Sequence, residues 1–229
     1  MMISVDLMIV LAIGMVIMFI PIAIQSKWRN IAIWKSAVVS LILTITGTVG
    51  IHIWFFVENF RFGGRSFYGA VFLVPIVCVL CSKLLRISYG TLTDISAPAG
   101  CAMLALMKIK CLVDDCCNGI PLYADADGIV VYFPSQIVEL ATAIVLMTVL
   151  LIISFRKNQP VYAWFLILYG ATRFVLNFFR LAKTPYIWML SAGHFWSLVA
   201  VVIGIIWLIV FNDLKRNPSK SSLLRKLEG

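Results

Sequence analysis

The sequence predicts an all-α integral membrane protein with seven transmembrane helices, the N-terminus outside and the C-terminus cytoplasmic. Three observations carry this reading. The 229 residues are 62% hydrophobic and only 13% charged, against roughly 45–50% and about 25% in soluble domains, and the mean hydropathy is +1.01. The apolar residues fall into runs near the roughly 20 that a helix needs to cross a hydrocarbon core of about 30 Å. Finally, 12 of the 19 Lys and Arg lie in segments that this orientation places inside, where basic residues collect. A water-soluble enzyme, a disordered chain and a disulfide-stapled module are excluded, because one core of this size could not hide so much apolar surface.

The first run, Ile3–Gln25, has no basic region ahead of it, carries Asp6 and lacks a small-residue cleavage site, so it reads as a retained span and not a signal peptide. Ser36–Val57 and the short Ser66–Ser82 follow. Asp94–Val113 is interrupted by Pro98, Lys108 and Lys110, and Gln136–Phe155, Val161–Arg180 and Ile187–Phe211 complete the set. Residues 1–213 form one polytopic domain and 214–229 a basic cytoplasmic tail. The net charge of +9 reflects topology. Its Lys and Arg lie between apolar runs and build no basic face for nucleic acid, whereas the outer loop Asp114–Gly128 is acidic.

Most ionisable residues that interrupt the spans fall in the outer half of the bilayer. From about 1.5 Å of rise per residue, His52 sits roughly 8 Å, and Arg173 and His194 about 10 Å, from the outer ends of their helices. Glu139 follows Gln136 by one turn, Lys108 and Lys110 close span four, and Arg65 and Tyr68 open span three. Such residues are costly in lipid and mark candidate sites. On span six, Tyr169, Arg173, Asn177 and Arg180 recur along one stripe, with Phe174, Val175, Phe178 and Phe179 opposite. Two guanidiniums on that stripe suit a phosphate or carboxylate. Arg173 has a second reading as an ion pair with Glu139, Arg180 as a snorkelling residue, and the histidines as polar glue between helices. Gly63-Gly64 and Gly119 before Pro121 read as backbone turns. Cys111, Cys116 and Cys117 offer no paired metal-ligand spacing and no CxxC, and read as small apolar packing residues.

Six segments, taken in order, resemble the prolipoprotein diacylglyceryl transferase family. Gly63-Gly64-Arg65-Ser66-Phe67-Tyr68-Gly69-Ala70 is similar to its G-G-x-S-F-H-G-G signature, and Asp94-Ile95-Ser96-Ala97-Pro98 to its D-x-x-A-P. Lys108 to Gly119 stands in its R-x-G-N/C…G segment, and Pro134-Ser135-Gln136-Ile137-Val138-Glu139 resembles H-P-S-Q-L-Y-E. Tyr169 to Arg173 with Asn177-Phe178-Phe179-Arg180 resembles Y-G-x-x-R…E-F-F-R, and Leu190 to His194 stands where the family has S-M-G-Q. The departures are Tyr68 for histidine, Lys108 for arginine, Cys111 for asparagine, Asn177 for glutamate, and no arginine near His52.

The resemblance implies seven spans and transfer of diacylglyceryl from phosphatidylglycerol to the lipobox cysteine of a preprolipoprotein, with release of glycerol phosphate, in the bacterial cytoplasmic membrane. It implies catalytic roles for Arg173, Tyr68, His194 and Glu139, with His52 a second candidate base. Lys108, Arg180, Tyr169, Gly64, Gly69, Cys111, Gln136 and Gly119 would bind substrate. No cofactor and no metal is expected. The alternatives are an inactive relative that binds lipid or lipoprotein, and a membrane thiol oxidoreductase using Cys111, Cys116 and Cys117. A transporter is disfavoured by the short chain and the absence of repeated halves.

Overall fold

The computed structural model describes residues 5–60, 64–124, 130–156, 159–180 and 190–216, with backbone alone over 5–11. Seven helices run in chain order: α1 (Val5–Trp28), α2 (Ile33–Asn59), α3 (Tyr68–Leu85), α4 (Tyr89–Val113), α5 (Ser135–Ser154), α6 (Val161–Phe178) and α7 (Ala192–Arg216). Six are long and apolar enough to cross a membrane, and α1 is apolar over Ala12–Trp28, the part whose side chains are described. Side chains such as Val16, Ile20, Ile45, Val145, Ile152 and Ile206 lie exposed along the outside, which a bilayer tolerates and water does not. The chain is therefore a multi-pass membrane protein.

Helix boundaries differ from the expected ones for identifiable reasons. Helix α4 starts five residues before Asp94 because Ser88 caps it, its Oγ accepting from the Thr91 N–H at 3.3 Å. Asp94, left inside α4, turns its carboxylate to the start of α6, accepting from the Tyr162 N–H at 3.2 Å and pairing with Arg29 at 3.7 Å. Helix α6 stops at Phe178, short of Arg180, because the following backbone pairs elsewhere: Gly119 and Arg180 form a β-bridge, and the Ile120 N–H donates to Phe179 O at 3.0 Å. Helix α7 begins at Ala192, later than Ile187, and runs on to Arg216. Residues 187–189, Gly63, Asp125, Asp127 and most of the basic tail lie outside the described residues.

The helices are joined at one point by a short ribbon that the all-α expectation did not include. Between α4 and α5 an antiparallel ribbon forms from β1 (Pro121–Ala124) and β2 (Val130–Tyr132), from an alternating stretch too short for a span.

Close approaches of helices rest on small residues. A Cβ on Gly50 of α2 would stand 2.9 Å from Gly69 O of α3, and one on Gly170 of α6 2.7 Å from Ser197 O of α7. The buried core divides in two: Met18, Ile22, Leu43, Leu92 and Ile95 join α1, α2 and α4, while Val71, Leu146, Tyr162, Phe165 and Tyr169 join α3, α5 and α6. One end of the bundle carries Arg29–Asp94 and Lys35 donating to Leu85 O at 2.7 Å. The opposite end brings together the C-terminal ends of α4 and α6 with the N-terminal ends of α3, α5 and α7.

Candidate functional site

The first turn of α5 sets the geometry of that end. Glu139, 4% exposed, lies one turn inside Ser135 and Gln136. Its Oε2 accepts from Lys108 Nζ at 2.5 Å and from Arg173 Nη1 at 2.6 Å, and Arg180 Nε stands 3.7 Å from Oε1. Three cations from α4, α6 and the chain after α6 thus surround one carboxylate. Among these four side chains the formal balance is three positive charges against one negative, an excess of two in a largely buried setting, with the Cys117 thiol adding a negative charge beside Lys108 and Arg180 when it ionises. Arg173 is both readings at once: it pairs with Glu139, and its Nε has no partner among the described residues.

Other polar atoms at this end are unmatched too. Asn177 Nδ2, His194 Nε2, Trp54 Nε1 and Trp196 Nε1 are buried without hydrogen-bond partners among the described residues. Asn177 lies one turn beyond Arg173 on the same stripe and against Gly193, where a Cβ would meet Nδ2 at 2.7 Å. His194 holds Ser191 Oγ through Nδ1 at 2.9 Å, and the rings of Phe174 and Phe178 pack on its imidazole. Those two phenylalanines therefore pack on α7. An unsatisfied buried donor costs about 1–3 kcal/mol, so the free N–H groups of Arg173 and, one turn on, Asn177 suit the oxygens of an anion.

Tyr68, at the first position of α3, is fixed by the α7 backbone: its hydroxyl lies 2.6 Å from Ser197 Oγ and 3.4 Å from Gly193 O. Tyr169 sits buried between Phe67 and Tyr68, ring centroids 5.4 and 5.8 Å away. Beyond Phe67 an apolar cleft opens between α1, α2, α3 and α4, lined by residues including Leu43, Gly47, Ile51, Val74 and Met103. Phe67 links the two regions, lining the cleft and packing on Tyr169 one turn before Arg173.

The loop after α4 closes over Glu139. Gln136 Nε2 donates to Cys116 O at 2.8 Å and to Asn118 Oδ1 at 2.5 Å, and Ser135 Oγ to Cys117 O at 2.5 Å. Gly119 is a seam more than a turn: its N–H donates to Phe133 O at 3.0 Å, and a Cβ would come within 2.6 Å of that same oxygen. Cys111, Cys116 and Cys117 pack against one another, their sulfurs within 4.8 Å. A hydrogen bond from the Cys111 thiol, with Arg180 and Lys108 nearby, holds the Cys117 thiol well below its ordinary pKa, although burial works the other way.

Other expected residues land apart from the cluster. His52 is exposed, its Nδ1 3.2 Å from Gly64 O, so it holds the glycine stretch. Gly69 lies at the α2–α3 crossing against Gly50. Lys110 pairs with Asp114 at 2.7 Å on the exposed side. Sequence reasoning missed Ser197, Asn118, Trp54 and Trp196. Only Ser197 left a trace, one turn from His194 on the helix face that carries it.

A model of the prolipoprotein diacylglyceryl transferase family matches residues 5–210. No curated protein matches the chain.

Proposed function

The chain belongs to the prolipoprotein diacylglyceryl transferase family, and from that premise we propose that it moves diacylglyceryl from phosphatidylglycerol to the lipobox cysteine thiol of a preprolipoprotein, at the outer face of a bacterial cytoplasmic membrane. The observation that carries the reading is the excess of two positive charges around Glu139. A lipid phosphate lowers that excess to one and accepts from the unpartnered Arg173 Nε.

In the proposed reaction the cysteine sulfur bonds to the glycerol carbon as the carbon–oxygen bond to phosphate breaks. The bonding pair leaves on the phosphate oxygen. Arg173 stabilises that charge, with Lys108 and Arg180 beside it, in a setting where fixed cations act more strongly than in water. Glu139 holds Nη1 of Arg173 and so aims its remaining donors. With Nδ1 donating to Ser191, His194 Nε2 keeps a lone pair for the incoming thiol proton. Tyr68, anchored by Ser197, orients the lipid, and the cleft beyond Phe67 takes acyl chain. Tyr169, Gln136, Cys111, Gly64, Gly69 and Gly119 shape the walls.

Mass spectrometry of a reporter lipoprotein, in cells depleted of their own transferase, tests this. Wild-type protein yields lipidated cysteine, Arg173→Ala yields none while still inserting in the membrane, and Arg173→Lys keeps a small fraction because a point charge replaces a planar fork. Lipid that co-purifies with the wild-type protein while the reporter cysteine stays unmodified identifies an inactive lipid-binding relative. An undiminished yield from Arg173→Ala removes that residue from the chemistry.

A further inference from the structure

Three thiols are collected at the mouth of the cationic cluster, and none of them reacts in the transfer described above, where Cys111 only shapes a wall. We propose that Cys111, Cys116 and Cys117 form a binding site for one thiophilic d10 metal ion, of the Zn(II), Cd(II) or Cu(I) class. The inference is independent of the transferase reading.

The geometry supports it in three ways. Sulfurs bound to one zinc-like ion at about 2.3 Å stand roughly 3.8–4.0 Å apart, and these three already lie within 4.8 Å of one another. Closing the set on a metal moves each sulfur by less than about 1 Å.

The backbone that presents them is also fixed before any metal arrives. Cys111 lies on the last turn of α4 and Cys116 folds back on it, its N–H donating to Cys111 O at 3.0 Å. That reversal passes through left-handed backbone at Asp115 (φ 43°) and Cys117 (φ 67°), conformations that L-residues adopt only under constraint. Gln136 and Ser135 supply the constraint by gripping the carbonyls of Cys116 and Cys117.

The electrostatics fit as well. A metal bound by thiols needs them deprotonated, and three thiolates with a divalent ion carry one net negative charge. Lys108 and Arg180 face that charge. Cys117 is exposed while Cys111 and Cys116 are half-buried, which gives the ion an entry path and leaves a position open for water. The remaining cysteines, Cys78, Cys81 and Cys101, are buried away from this loop.

The test uses the full-length protein in detergent, reduced and washed with chelator, titrated with Cd(II) and followed by thiolate-to-metal charge-transfer absorption. One Cd(II) per chain is expected to bind with release of thiol protons. Each of Cys111→Ser, Cys116→Ser and Cys117→Ser should weaken binding at least tenfold, and the triple Cys78→Ser/Cys81→Ser/Cys101→Ser variant should leave it unchanged. Folding of each variant is checked by its melting temperature. Wild-type affinity retained in all three single variants overturns the site. So does a mass two protons lower in wild-type protein purified without reductant, provided that this loss disappears in Cys117→Ser, because the thiols would then be a disulfide pair.

Discussion

Replacing Glu139 by glutamine keeps the shape of the side chain and removes the one negative charge among Lys108, Arg173 and Arg180. At an effective dielectric of about 20, a pair at 2.5 Å attracts with about 7 kcal/mol and one at 2.6 Å with about 6 kcal/mol before desolvation is counted. Two cations that share Oε2 at those distances stand at most about 5 Å apart and repel by about 3 kcal/mol or more on the same scale. Desolvation cancels much of the attraction in the intact protein. Glu139→Gln therefore loses the attraction and exposes the repulsion. Removing one partner from a buried ion pair costs about 3–5 kcal/mol, and for a chain of this size each kcal/mol moves the melting temperature by about 2–4 °C. A fall of about 10 °C is expected in detergent, read by the fluorescence of Trp54 and Trp196. Lys108→Met alone leaves Glu139 with two arginines and costs less. In Lys108→Met/Glu139→Gln one cation has gone with the acid, so the double variant should be more stable than the sum of the singles by at least about 1 kcal/mol. Strict additivity within about 0.5 kcal/mol would refute the view that these charges act as one unit.

Two further outcomes follow from other contacts. Gly69→Val drives methyl groups into the Gly50 backbone and should prevent accumulation of folded protein, whereas Gly90→Ala, with open space around it, should be tolerated; immunoblots of membranes compare them. The lowered Cys117 pKa means that its thiolate persists as pH falls, so iodoacetamide should modify metal-free protein at pH 6.5 at a rate comparable to that at pH 8.5. An ordinary thiol with pKa near 8.5 slows by roughly 50-fold over that interval, and Arg180→Gln should move Cys117 towards that behaviour.

What the sequence showed and what it hid divides along physical lines. Spans were legible because bilayer thickness imposes a length on apolar runs, so α2, α5 and α6 fall within a few residues of their expected positions. Ends were less legible because they depend on partners distant in sequence: the Ser88 cap begins α4 early, and the Gly119–Arg180 bridge ends α6 before Arg180. The cationic half of the site was visible as charge in apolar runs, and the possible Arg173–Glu139 pair is present. What periodicity could not show is that Lys108 shares the same carboxylate oxygen. The clustering of the cysteines was hidden because adjacency in sequence said nothing of the reversal at Asp115 and Cys117 that stacks them over Cys111.

The charge balance at Glu139 also bears on the rate of the proposed chemical step. The three cations and one acid leave an excess of two. Phosphatidylglycerol brings one negative charge and reduces the excess to one. The departing glycerol phosphate brings close to two above its second pKa of about 6 and cancels the excess. The cluster is thus better matched to the leaving group than to the substrate, which is the differential stabilisation that accelerates a chemical step. The same match predicts product inhibition with a definite pH dependence. Glycerol phosphate should compete with phosphatidylglycerol more strongly at pH 8, where it is a dianion, than at pH 5.5, where most of it carries one charge. Arg180→Gln, which lowers the excess to one, should reduce that difference. Inhibition that is equal at both pH values, with Lys108 and Arg173 intact, would show that the cluster does not discriminate by charge, and leaving-group stabilisation would then have to come from elsewhere in the fold.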